Sequence, residues 1–557
     1  MRTLVRSTLV AGLTGTLMVS AAWAGIGISP VPTAAPDTPL RAPIAKAAGS
    51  AVDGAAVAGI SPTSVAAGQL LVGAARTSML PRPEDMKAKG FPDARWETDP
   101  AKCQRMDQSV LDQLPATAQQ APDGIVTAGS PWHENPDCIY MGGFGIGPAN
   151  PVKAFDPTYG LWVRSLAFSD GHTPFVMTVV DAEGWLWDHK NMCTDCGAKQ
   201  INAALAADPE LAALGAKPSS FILHATHSHS GPDFIGGWGG VPSWYLAQIT
   251  AEIKATAKQA LLSMQPATLE AGEIEARGFN SERRDTYRAA EEQQLSWLRA
   301  VAVPADDAKK KDAPQVIATL GAYAAHPTTR GTNNGVASSD WVGLFEKRLE
   351  DRFGGIGMHF MTGLGNMSAS GGTGIGTKLA DLLPEVGSGT QVTDTSIRVA
   401  QTTYRSALTN VPLDALGTPG FFDRKFDPQP VAVNVGETST APCTSASPQS
   451  VELPITVAKI GSQLVFTTGA GEEFSNLTNT IKEKNTGKVT FPLAQVNDAL
   501  GYMPQSFELS QVGQQGLGFV DQATGYAGIN YEDSYAIDKC FGDMAMETAL
   551  GQLAALK

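Results

Sequence analysis

The chain has 557 residues, a formal net charge of −14, and no run of basic residues that could follow a phosphate backbone, so a nucleic-acid partner is excluded. The acid excess serves solubility. Only eight residues are histidine, yet three of them fall within "FILHATHSHSGPD", residues 221 to 233.

The amino terminus, "MRTLVRSTLVAGLTGTLMVSAAWAG", carries two arginines, an apolar stretch of about a dozen residues, and then Ala22-Trp23-Ala24. That is the order of a cleavable secretory signal, and the apolar run is shorter than the ~20 residues a spanning helix needs. Residues 1–24 are therefore expected to be a signal peptide and the mature protein to be secreted or periplasmic. Residues 25–66, rich in Ala, Pro, Gly, Ser and Thr, cannot bury enough surface to offset their ordering entropy and are expected to form a flexible linker. Residues 67–557 read as globular, with no later stretch suited to cross a bilayer. Contact with a membrane surface is expected to be transient at most. "PADDAKKKDAP" at 304–314 reads as a solvated surface loop.

Four segments share one pattern, an apolar strand running into a polar or glycine-rich loop. "SSFILHATHSHSG" ends in histidines, "QVIATLGAYAAHPTTRG" in His326, and "GMHFMTGLGNMSASGG" in Ser368. "QLVFTTGAGEEFSNLTNTIKEK" passes through Glu473 into a helix. After the first, "SWYLAQITAEIKATAKQALLSM" has helical spacing at Leu246, Ile249, Ile253, Ala257 and Leu261, with Ser243 placed to cap it. Strands alternating with helices predict an α/β fold, a mixed multi-stranded sheet core with flanking helices, and a site at the carboxyl ends of the strands.

Strand alternation would bring His227 and His229 to one side. An HxH pair there can present two imidazoles to a metal such as zinc, or can be a hydrogen-bonded structural pair. His224 reads as a core histidine or one standing behind the ligands. Six cysteines (Cys103, Cys138, Cys193, Cys196, Cys443, Cys540) in an exported chain read as disulfides, with fifteen pairings open. "CTDC" at 193–196 could instead be a redox or zinc pair.

In chain order these segments resemble the neutral ceramidases, zinc-dependent amidases that split the N-acyl bond of ceramide. "ATHSHSGPDFIGG" resembles their ATHTHSGPGG signature, "AAHPTTRGTNNGVASSD" their histidine loop and "GLGNMSAS" their nucleophile loop. "GAGEEFSNLT" is similar to P-A-E-F-T, "NDALGYMPQSFE" to N-A-Y-x-x-Y and "GINYEDSY" to Y-E-G-G-S. "GQLLVGAARTSMLP" resembles the opening strand. The resemblance implies a zinc ion held by His227, His326, Glu473 and Tyr502, with His229 just outside the ligands. It further implies Ser368 as nucleophile, Tyr531 against the reacting amide and Arg283 as the active-site arginine. Either Ser368 or an activated water attacks on this reading.

The chain departs from the pattern at several points. Trp162 in "GLWVR" stands where the family has a histidine. Ala369-Ser370 replaces Pro-Asn, and Asp233-Phe234 replaces Gly-Gly. Residues of about 82–140 look like an insertion with two cysteines, and the family's carboxyl-terminal immunoglobulin-like domain is not expected. The activity implied is a secreted zinc-dependent amidase acting on ceramide or a related N-acyl lipid. The alternative is an altered member that binds lipid or hydrolyses a different amide. A metal-free serine hydrolase fits less well, since no G-x-S-x-G elbow surrounds Ser368.

Overall fold

The computed structural model describes residues 69–103, 135, 137–144, 150–190, 192–284, 290–304, 313–410, 423–436, 442–509, 532 and 535–556. The expected signal peptide and linker, most of the 304–314 loop and Tyr531 lie outside them.

Two sheets packed face to face form the centre. The larger has nine strands: β1 (Leu70–Ser78), β2 (Trp162–Ser169), β3 (Pro174–Val180), β4 (Phe221–Ala225), β5 (Gln265–Glu275), β6 (Gln294–Ala302), β7 (Val316–Tyr323), β8 (Ile356–Met361) and β9 (Thr390–Gln391). Their order is β8-β7-β6-β5-β1-β2-β3-β4, with β9 added against β5. The pairs β3/β4 and β7/β8 are parallel and the others antiparallel, giving the mixed sheet expected. The second sheet runs β10 (Ile397–Ala407), β11 (Ser450–Ile460), β12 (Leu464–Thr468), β13 (Val489–Leu493), in that spatial order, with β12 and β13 parallel.

Burial explains why "PFVMTVV" and "VIATLGAY" read as continuous apolar runs: both faces of these strands are covered. In β3, Phe175, Met177 and Val179 face the second sheet. Val176 and Val180 face the helices Ala198–Ala207 and Ser243–Leu262. Leu464, Phe466, Phe491 and Leu493 complete the layer between the sheets. There the rings of Phe175 and Phe466 lie 5.7 Å apart and those of Phe466 and Phe491 stack at 4.9 Å. Deleting a ring of this kind costs roughly 3–5 kcal/mol. Helices Asp340–Phe353 and Ile375–Asp381 cover Leu295, Trp297 and Tyr323 of the first sheet. Helix Phe541–Ala555 covers Leu453, Ile455 and Val457 on the far face of the second. The result is four layers, helix–sheet–sheet–helix.

Some local expectations are corrected. Ser243 is the first helical residue; the capping position is Pro242, which offers no side-chain cap. Trp162 opens β2, where its backbone N–H donates to Asp181 Oδ2 at 2.8 Å, its indole donates to Tyr159 O at 2.6 Å, and Arg76 lies over its ring. The cysteines pair as Cys103–Cys138, Cys193–Cys196 and Cys443–Cys540, so "CTDC" is a disulfide here.

Candidate metal centre

Strand β4 ends at Ala225, before the paired histidines. His227 then takes a left-handed backbone, φ 59°, a conformation uncommon for a residue with a Cβ. The turn, not strand alternation, aims His227 and His229 at each other, and their Nε2 atoms stand 3.2 Å apart. His326 lies just beyond β7, with its backbone N–H on Met367 O at 2.9 Å. One ring nitrogen from each of His227, His229 and His326 lies within 4.8 Å of the others, and all three side chains are buried. His224 is a core residue, its Nε2 accepting from the Met361 N–H at 3.0 Å.

The carboxylate brought to the imidazoles is Glu472, not Glu473. Glu472 Oε2 stands 2.9 Å from His326 Nε2 and 3.5 Å from His227 Nε2. Glu472 and Glu473 form a two-residue strand, so their side chains leave opposite faces. Glu473 packs on Gly469, whose missing Cβ leaves it room, and its buried Oε2 has no hydrogen-bond partner. Burial pushes the Glu473 carboxyl well above the usual range.

The tautomers are decided from outside the cluster. His227 Nδ1 faces Glu183 O at 2.8 Å and His326 Nδ1 faces Met367 O at 3.2 Å. A neutral imidazole has one N–H. With both Nδ1 protons spent on carbonyls, the Nε2 lone pairs of His227 and His326 face the Glu472 oxygen, acceptor against acceptor. A cation at their centre relieves that opposition, and imidazole with carboxylate is a donor set suited to zinc.

Without such an ion, protons must serve. Burial opposes charge on both His227 and Glu472, yet their attraction prevails, raising the His227 pKa and holding the Glu472 carboxyl well below its usual range. Burial, aided by the Arg283 charge, lowers His326 to about 4. Burial also drives His229 well below its usual value and lifts the carboxyl of Glu183, beside His227, to about 8.

Tyr502 lies opposite Glu472 in a short parallel ladder. Its hydroxyl accepts from Arg283 Nη2 at 2.8 Å, and its ring centre is 6.3 Å from that of His326. Arg283 also donates to Gly365 O and to Glu532, each at 2.8 Å. The neighbouring Arg284 is turned instead toward Glu508 O and the ring of Phe474. Ser368 bridges in parallel to His326 through the backbone and pairs with Ser281 on the other side. The structure thus gathers His227, His229, His326, Ser368, Arg283 and Tyr502, and replaces Glu473 by Glu472. Sequence reasoning missed Glu183 and Glu532. Glu183 is the second acid past the apolar run "PFVMTVV", after Asp181, and nothing in the sequence singled it out.

No protein-family model matches the chain, and no curated protein sequence does. Among solved structures, the neutral ceramidase of Pseudomonas aeruginosa aligns with a TM-score of 0.52 and 13% identity over 88% of this chain and 75% of its own. A ceramidase complexed with C2 aligns equally well, with 74% of its own chain covered. The four-layer chain with its buried histidine cluster therefore has the fold of the neutral ceramidases.

Proposed function

We propose that this chain is an exported zinc-dependent amide hydrolase that cleaves the N-acyl bond of ceramide or a related N-acyl lipid, releasing fatty acid and amine. The observation that carries the reading is the opposed set of lone pairs at His227 Nε2, His326 Nε2 and Glu472 Oε2 beside Ser368. The ceramidase fold supplies the substrate class.

His227, His326 and Glu472 would hold the ion, with Tyr502 the weakest donor because its hydroxyl already accepts from Arg283. Zinc so held would polarise the amide carbonyl and lower the pKa of a water toward ~7. Ser368 is fixed by backbone pairing on both sides, which pre-organises its hydroxyl to attack or to orient the amide. His229, kept neutral by burial, is the base assigned to the proton released on attack. Arg283, clamped by Glu532 and Gly365, directs positive charge toward the developing oxyanion. Tyr531, outside the described residues, is assigned to the same oxyanion.

The test is product analysis by mass spectrometry after incubation with ceramide and a panel of N-acyl amides, with and without a chelator. Chelator-sensitive release of fatty acid is expected. No release from any member of the panel refutes the reading.

A further inference from the structure

The disulfide Cys193–Cys196 plays no part in the site just described, and its surroundings differ from those of the other two. Cys103, Cys138, Cys443 and Cys540 are all buried. Cys193 is half-buried and followed by exposed Thr194 and Asp195, whereas Cys196 is 1% exposed. An attacking thiolate must approach one sulfur along the S–S axis, and the other sulfur leaves as a thiolate. The half-buried sulfur is the one open to attack.

The leaving sulfur is also placed for its task. Cys196 precedes Gly197, the amino-terminal cap of the ten-residue helix Ala198–Ala207. The positive end of the helix dipole there favours negative charge, although the N–H groups of Ala198 and Lys199 already donate to Leu186 O and Trp187 O. The Cys196 backbone is held by the Trp185 indole, which donates to Cys196 O at 2.9 Å. Asp195 Oδ1 lies 3.0 Å from Cys193 Sγ and 3.9 Å from Cys196 Sγ. Being nearer Cys193, that carboxylate disfavours a thiolate there more than at Cys196 and can accept from the Cys193 thiol once the bond is open.

We propose that Cys193–Cys196 is a thiol–disulfide exchange site that takes a small external dithiol at Cys193. The dithiol's thiolate attacks Cys193 Sγ, forming a mixed disulfide and releasing Cys196 as thiolate. The dithiol's second thiol, losing its proton, then closes on its own mixed sulfur and frees Cys193, which takes up a proton. The dithiol is oxidised to a cyclic disulfide and the protein is reduced by two electrons. Between Cys193 and the cluster of His189, Asp423 and Gly236 sits Met192, whose N–H donates to Asp423 Oδ2 at 3.0 Å. Exchange therefore opens a loop pinned against the segment 233–240, which starts four residues after His229. The proposal is independent of the amidase reading.

The folded wild-type protein is treated with graded dithiothreitol, quenched by alkylation and mapped by peptide mass spectrometry. Cys193 and Cys196 should be reduced on the order of tenfold faster than the other four cysteines, with helical circular dichroism retained. Equal rates for the three disulfides, or slower opening of this one, overturn the proposal. In Cys193→Ser, the remaining Cys196 should alkylate with a pH midpoint below the ordinary ~8.5. A midpoint at or above that value removes the leaving-group argument and with it the assignment.

Discussion

Glu472→Gln and Glu473→Gln form a paired test of which carboxyl serves the cluster, because the two residues are neighbours in one strand yet stand in opposite electrostatic settings. In the metal-free chain Glu472 Oε2 lies 3.5 Å from His227 Nε2. Unit charges at that separation attract by about 5 kcal/mol at an effective dielectric constant of ~20. Removing one partner of such a buried pair costs roughly 3–5 kcal/mol. Glu472→Gln should therefore lower the denaturation midpoint of the chelated protein clearly. Loss of an anionic donor should also cut bound zinc, measured by elemental analysis after dialysis, to below about a tenth of wild type, and hydrolysis by at least ~10²-fold. Glu473 is different. Burial holds its carboxyl neutral, so the isosteric amide changes no charge and should shift stability by about 1 kcal/mol or less in either direction. Zinc content and rate should stay within about twofold. Retained zinc in Glu472→Gln together with lost zinc in Glu473→Gln would refute the geometric assignment and restore the one read from the sequence motif.

Ser368→Ala should slow amide hydrolysis on the order of 10³-fold or more while zinc content and thermal midpoint stay near wild type; a loss under tenfold assigns the serine to orientation alone. Arg283→Lys replaces a fork that reaches Glu532, Gly365 and Tyr502 by a single ammonium. A rate reduced roughly 10–100-fold with zinc retained is expected, and an unchanged rate removes Arg283 from the chemistry. Burial pushes the Glu508 carboxyl up to about 7, against 4.5 ordinarily, although it accepts hydrogen bonds from Gln505 and Asn476. The folded state thus holds a proton that the unfolded chain releases. Its stabilising effect is complete below pH 4.5 and lost as pH rises through 7, about 3 kcal/mol in all. Glu508→Gln should flatten the stability profile across that interval, as read by denaturation at successive pH values; an unaltered slope excludes Glu508 as its source.

Much of the site was legible because strand ends announce themselves. The apolar runs before His227, His326 and Ser368 became β4, β7 and β8, and the glycine-rich exits became the loops that hold the side chains. The pairing of His227 with His229 was anticipated from alternation, but the strand stops at Ala225 and a left-handed turn does the aiming. Backbone φ of that kind leaves no mark in a histidine-rich sequence. The choice between Glu472 and Glu473 was beyond sequence reasoning for a related reason. In a two-residue strand the face is set by its ladder with Tyr502–Met503, a contact from a distant segment, and a one-residue slip reverses it. Glu183 and Glu532 went unnoticed because a buried acid matters through the neighbours that folding brings to it.

The cluster also draws on both sheets. His227 and His326 follow β4 and β7 of the first sheet, whereas Glu472 follows β12 of the second. An ion shared among them is therefore a rivet between the two halves of the sandwich, set at one end of an interface otherwise held by interchangeable apolar contacts such as Phe175 on Phe466. Apolar layers tolerate sliding; a fixed set of donors does not. Loading the ion should slow amide exchange along β4, β7 and β12 together, so that hydrogen exchange would register it as a mechanical joint even where no substrate is turned over.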